Sequence, residues 1–171
     1  MRLFIAIMFD ENMKEAVIRA QQTARAAGVE GNYSRGENMH LTLAFIGETA
    51  NSRGAISALC ASCGESFDIR LTNAEKFGDT LVIRAEGDSG LYELHDRLME
   101  ELESRGFSPD KKSFKPHVTI VRAAGGNAGN LSVNAAMKVK RVSLMESRRL
   151  NGKLIYTELF GKNLTRSDRR L

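Results

Sequence analysis

Two tetrapeptides hold most of the chemistry this sequence can do: His40-Leu41-Thr42-Leu43 and His117-Val118-Thr119-Ile120. Both read His-x-Thr followed by an apolar residue, and together they use two of the chain's three histidines. In an extended strand, residues i and i+2 share a face. Each segment therefore presents an imidazole and a hydroxyl on one side and turns Leu41 and Leu43, or Val118 and Ile120, to the other. Imidazole is the side chain whose ordinary pKa, about 6.5, lies nearest neutrality. Two imidazoles on opposite sides of a phosphorus atom can share an in-line displacement. A neutral ring takes the proton of attacking water, and a protonated ring delivers one to the leaving oxygen. Threonine hydroxyls and neighbouring cations can hold the non-bridging oxygens as charge develops. Such a reaction calls for neither metal nor organic cofactor.

The two strands must be brought side by side, and the pattern around them repeats. Residues 3–9 form an apolar run suited to a buried strand. Asp10 follows as a helix N-cap, and Met13, Val17, Ala20 and Ala24 recur at helical spacing up to Gly28. The strand of His40 comes next. Residues 81–85 read as another strand, Asp88 or Ser89 caps a helix bearing Leu91, Leu94, Leu98 and Leu102, and Gly106 ends it before the strand of His117. Leu3 precedes His40 by 37 positions and Leu81 precedes His117 by 36. This is an internal duplication of strand–helix–strand units over roughly 1–78 and 79–160. Residues 56–63 are expected to be helical and 67–77 to form a strand. Residues 138–144 and 153–160 are expected to pair about the Asn151-Gly152 turn. The Gly-, Ala- and Asn-rich stretch 123–130 reads as a mobile loop, and 166–171 as a frayed end.

At 171 residues, with 42% hydrophobic and 27% charged residues, the chain has the size and composition of a single globular domain over 1–171. No apolar run has transmembrane length, and the first one lacks a signal-peptide cleavage site, so a cytoplasmic protein is expected. A monomer is expected too, since no heptad or apolar stripe announces a partner. The net charge of +4 favours an anionic substrate and is compatible with RNA. Cys60 and Cys63 have too few companions for zinc, and they sit toward a helix end rather than at an activating N-terminus. They read as reduced, structural thiols. His95 reads as a surface or boundary residue. Lys115 shares the face of His117. Arg122 and Phe45 each lie five positions after a motif histidine, so strict alternation turns both away from the cleft unless the strand ends or bulges.

With both motifs in place, the chain resembles the 2H phosphoesterase superfamily, named for its paired His-x-Thr/Ser motifs. The branch it resembles most is the RNA 2′,3′-cyclic phosphodiesterases, also called the LigT-like or 2′-5′ RNA ligase family. Residues 1–7, 38–48 and 114–122 carry the resemblance, and the ending from Val142 to Leu159 is also similar. It implies an α+β fold of two pseudo-symmetric lobes whose antiparallel sheets line a central cleft, with helices outside. The implied activity is metal-independent hydrolysis of a terminal RNA 2′,3′-cyclic phosphate to a 2′-phosphomonoester, the 3′-oxygen leaving. His40 would then be the proton donor and His117 the acceptor, Thr42, Thr119 and Arg122 would bind the phosphate, and Phe45 would lie near the nucleobase. Some members also join 2′,3′-cyclic phosphate and 5′-hydroxyl ends in a 2′-5′ linkage. Many carry a tryptophan in the strand opening the second half. This chain has none, and residues 80–83 stand in that region. The same chemistry would also serve a 2′-5′ oligonucleotide or a small cyclic nucleotide. The non-enzymatic alternative is a module that binds RNA ends without turnover, for which two titrating groups would be superfluous.

Overall fold

The computed structural model describes residues 1–166; residues 167–171, most of the end expected to fray, lie outside the described residues. The elements in order are β1 (Arg2–Met8), α1 (Glu11–Ala26), β2 (Glu30–Tyr33), a 3-10 turn (Gly36–Asn38) and β3 (His40–Glu48). There follow α2 (Ser52–Ser62), β4 (Phe67–Phe77), β5 (Thr80–Gly87), α3 (Ser89–Ser104), β6 (His117–Gly125), β7 (Ser132–Val139), β8 (Arg141–Leu150) and β9 (Lys153–Asn163).

Local chemistry explains the helices. The Asp10 carboxylate accepts the Met13 N–H at 2.8 Å, satisfying an amide that the first turn of α1 leaves without a partner. Asp88 does the same for Gly90 at 2.9 Å at the start of α3. Met13, Val17, Ala20 and Ala24 of α1, and Leu91, Leu94, Leu98 and Leu102 of α3, are the buried stripes that the spacing predicts. Helix α2 begins four residues earlier than its apolar pattern suggested, because Asn51 caps it by accepting the Gly54 N–H at 2.9 Å.

The strands form two antiparallel sheets, ordered β3-β1-β8-β9 and β2-β6-β5-β4-β7. The fold is the α+β architecture of two antiparallel sheets that the resemblance implies. Helix α1 lies against β6 and β7, whereas α2 and α3 pack on each other, against β8 and β9 and against β3 to β5 respectively. One continuous apolar core fills the space between helices and sheets, and β1, buried from Leu3 to Ile7, is covered on both faces. Its second face carries a smaller cluster of Phe4, Ala6 and Met145, edged by Met8 and Tyr156. Among the described residues, no helix is long and apolar enough to cross a membrane.

Two strand expectations shift, and one strand has no counterpart in the sequence reading. Residues 138–144 are not one strand: the chain leaves β7 in one sheet and enters β8 in the other at Lys140, whose carbonyl accepts the Leu164 N–H at 2.8 Å. Val139 and Val142 are both buried, and the two exposed cations between them, Lys140 and Arg141, mark the crossing. The stretch 123–130 is strand as far as Gly125, tied down by Ala124 N–H donating to the Asp79 carbonyl at 2.7 Å. Strand β2, short and Gly-containing, gave no alternation to read.

Each motif strand carries a β-bulge at the third residue after its histidine. In β3, Ala6 faces Thr42 and Ile5 faces Ala44, so Leu43 is the extra residue. In β6, Val82 faces Thr119 and Leu81 faces Val121, so Ile120 is the extra residue. Two consecutive side chains are buried at each place, Leu43 with Ala44 and Ile120 with Val121, and the alternation beyond is inverted.

Gly31 presses on the second bulge from β2. Its φ is +145°, and a Cβ there would lie 2.7 Å from the Arg122 carbonyl oxygen and 2.8 Å from that of Ala123. Gly31→Ala is expected to cost about 1–3 kcal/mol, since both the backbone conformation and the contact disfavour a side chain. Urea denaturation should show a lower midpoint at unchanged slope.

Candidate functional site

Strands β3 and β6 lie against each other where the two sheets meet, bringing the motif histidines into one cleft. The two rings are held alike. His40 Nδ1–H donates to the Asn38 carbonyl at 2.7 Å, and His117 Nδ1–H donates to the Lys115 carbonyl at 2.7 Å. A carbonyl oxygen only accepts, so each bond fixes the tautomer and leaves Nε2 as the nitrogen able to exchange a proton. The Thr42 hydroxyl lies 3.0 Å from His40 Nε2 and donates to it when the ring is neutral. Thr119 keeps the same face as His117, half-buried. Burial is the largest influence on both histidines and pushes both pKa values below the ordinary one. Arg122 and a charged His117 push His40 further in that direction, and Arg84 and Arg122 do so for His117. The carbonyl bonds act in the opposite sense and are outweighed.

The bulges resolve the parity objection to Arg122 and Phe45. Arg122 returns to the His117 face and acts electrostatically on both histidines. Phe45, 61% exposed, lies 6.3 Å between ring centroids from Phe4, whose own ring is 5.1 Å from His40. His40, Thr42 and Phe45 thus share one face of β3, and His117, Thr119 and Arg122 one face of β6.

Several neighbours escaped the sequence reading. Tyr156 of β9 meets His40 edge-on at 5.2 Å, and Phe77 meets His117 edge-on at 5.0 Å. Arg84 sits directly across from His117 in the β5–β6 ladder, with its guanidinium 5.7 Å from the Phe77 ring centre, bonded to Glu75 at 3.0 Å. Lys115 Nζ lies 5.9 Å from the same ring. His95 stacks flat on Phe114 at 3.9 Å, three residues before His117, so it packs on the approach to the motif. Cys63 is away from this chemistry; burial, helped by Cys60, pushes its thiol up to about 11. Among the described residues, no three His, Cys, Asp or Glu side chains are grouped to hold a metal ion.

Gln21 of α1 is the least expected participant. Nearly buried, it donates through Nε2 to the Ser34 carbonyl at 2.8 Å and to the Ile120 carbonyl at 3.1 Å. Ile120 is the bulged residue, so Gln21 fixes the distortion that turns Arg122 into the cleft. The only trace of this in the sequence is one amide within an otherwise apolar helical stripe. Gln21→Leu leaves buried carbonyls short of a donor and is expected to cost about 1–3 kcal/mol. Its loss of phosphate affinity should largely vanish in an Arg122→Ala background. A double-mutant cycle of phosphate binding measures that coupling.

Residues 13–149 match the family model described as the 2′-5′ RNA ligase superfamily. The chain is 28% identical to the RNA 2′,3′-cyclic phosphodiesterase of Methanothermobacter thermautotrophicus, with 92% of this chain and 96% of that protein covered. It is 32% identical to the protein of the same name from Thermotoga maritima, over 71% of this chain and 70% of that one. Its fold superposes on crystalline Escherichia coli LigT complexed with 3′-AMP at a TM-score of 0.78 and 27% identity, covering 96% and 98% of the two chains. The motifs, the fold and these matches agree: the chain belongs to the 2′-5′ RNA ligase superfamily.

Proposed function

We propose that this protein is an RNA 2′,3′-cyclic phosphodiesterase, opening the cyclic phosphate at an RNA end to leave a 2′-phosphate. The observation that carries the reading is the matched pair of imidazoles, each with Nδ1–H fixed on the carbonyl two residues before it and Nε2 left for proton transfer. The relatives named as RNA 2′,3′-cyclic phosphodiesterases support the substrate class.

Water attacks phosphorus in line with the 3′-oxygen. Burial and Arg122 disfavour the protonated form of both rings, and Arg84 adds to this at His117, the ring we assign as the base. His40 packs against the rings of Phe4 and Tyr156 and is the donor we assign to the departing 3′-oxygen. Arg122 and the hydroxyls of Thr42 and Thr119 take the non-bridging oxygens, whose charge grows in the transition state. Phe45, exposed at the mouth, offers a face to the terminal base. Every group the reaction requires belongs to one chain, which supports a monomer acting without metal; the cytoplasm is the compartment we assign.

Replacing either His40 or His117 by alanine should lower kcat by about 10²–10⁴ on an RNA ending in 2′,3′-cyclic phosphate. Treatment with EDTA should leave the rate unchanged, and the product phosphate should sit on the 2′-oxygen. A 3′-phosphate product, or full activity in either variant, would overturn the reading.

The pH dependence carries a sign. Turnover needs one histidine protonated and the other neutral. Because both free-protein pKa values lie below the usual 6.5, that state is most populated on the acid side of it. The kcat/KM profile should be bell-shaped with its maximum below pH 6.5, falling as the donor loses its proton at higher pH. A maximum above pH 7 would contradict it.

A further inference from the structure

The tip of the β8–β9 hairpin lies beside His40 and has no part in the proton chemistry. Its anchor is the Leu154 carbonyl, which accepts from Arg35 at 2.9 Å and from the Asn38 side chain at 3.0 Å. Asn38 is the residue whose own carbonyl holds His40 Nδ1, and Tyr156, two residues beyond Leu154, packs on the His40 ring. The hairpin end is therefore fastened to the His40 side of the cleft. Residues 147–154 contain three cations, Arg148, Arg149 and Lys153, and no acid. All three side chains are exposed, and no ion pair engages them among the described residues. Cations elsewhere on the surface are commonly neutralised, as Lys138 is by Asp68 at 3.3 Å and Lys111 by Glu103 at 3.4 Å. The nearest carboxylate on the anchoring turn, Glu37, is taken up by Arg35 at 3.3 Å.

The side of the cleft decides what these charges meet. In the proposed reaction water enters beside His117 and the 3′-oxygen leaves beside His40. That oxygen belongs to the terminal ribose, so the ribose and the chain attached to its 5′ side extend past His40. We infer that Arg149, on the ribbon face that carries Tyr156, and Arg148 and Lys153, which flank it from the other face of the hairpin tip, dock the phosphodiester backbone of the RNA strand whose end is hydrolysed. The inference rests on the hydrolase reading and adds to it a preference for oligonucleotides over mononucleotides. Flexible, solvated cations suit a backbone contact that is independent of sequence.

The test compares a nucleoside 2′,3′-cyclic phosphate with a pentanucleotide bearing the same end, using the full chain and the triple variant R148Q/R149Q/K153Q. Wild-type kcat/KM should be on the order of tenfold higher for the pentanucleotide at low salt, and the advantage should fade as salt rises. The variant should hydrolyse the mononucleotide at the wild-type rate and lose the advantage. A parallel arm reads binding without turnover, by fluorescence anisotropy of a labelled pentanucleotide ending in 2′-phosphate. The variant's slope of log affinity against log salt should be shallower by about two, as expected for three lost contacts to a single strand. Equal wild-type rates on both substrates, or an advantage that persists in the variant, would overturn the docking site. So would an equal fall on both substrates, which would mean that the hairpin acts through His40. Failure of the wild type to hydrolyse either substrate would sink the hydrolase reading, while the anisotropy arm would still decide whether the hairpin binds RNA.

Discussion

An extra residue buried in each motif strand decides which side chains can reach a phosphate. A regular strand offers a site every second position, so His117 and Thr119 would be followed on the cleft face by Val121, with Arg122 turned into the core. The core accepts Ile120 and Val121 side by side instead, and from that point the cleft face receives the arginine. The strand of His40 makes the same shift at Leu43 and delivers Phe45. The distortion is held from outside the cleft: Gly31 fits against the backbone at Arg122, and Gln21 reaches the Ile120 carbonyl from a helix. Packing of apolar side chains and chemistry at the cleft are here one constraint, because removing either bulge would exchange a cation or an aromatic ring for an aliphatic side chain.

The electrostatics follow from that arrangement. Burial and cations drive both imidazoles toward the neutral form, which by itself would leave the cleft without a proton to donate. An anionic phosphodiester reverses the balance. In the proposed reaction it lies between the two imidazoles, offsets Arg122 and stabilises one imidazolium, so that the donor is charged when the substrate arrives. Binding and protonation are then linked, and the same guanidinium that depresses the free histidines becomes a partner of the phosphate. The fixed Nδ1–H bonds keep this from being a rotation of rings: the proton changes place at Nε2 while the tautomer is held by carbonyls.

Much of the fold could be read from side-chain periodicity and caps, because the helices and buried strands express one period each. Asp10, Asp88 and the leucines of α3 sit where the pattern put them. What escaped reading has a common cause. The bulges at Leu43 and Ile120 are both events in which apolar character continues while register changes. Local pattern reports burial and says nothing about which sheet or which face receives it. The site was legible in its paired motifs for the same reason that its rim was not. His-x-Thr repeats within one strand, whereas Arg84, Phe77 and Tyr156 reach the cleft through ladders and ring contacts between segments distant in sequence.

The two halves offer equivalent backbones but different surroundings, and the difference gives the cleft a direction. Arg84 lies across from His117, with Phe77 edge-on to that ring, while Phe4 and Tyr156 pack on His40 and Arg122 acts on both. A symmetric pair of imidazoles could accept or donate from either side. Cations on one side favour a neutral ring and an incoming nucleophile losing its proton. In the proposed reaction the rings packed on His40 meet the ribose and its base. In the proposed reaction the two histidines act in line across phosphorus, and their unlike neighbours give each of them one half of the proton transfer.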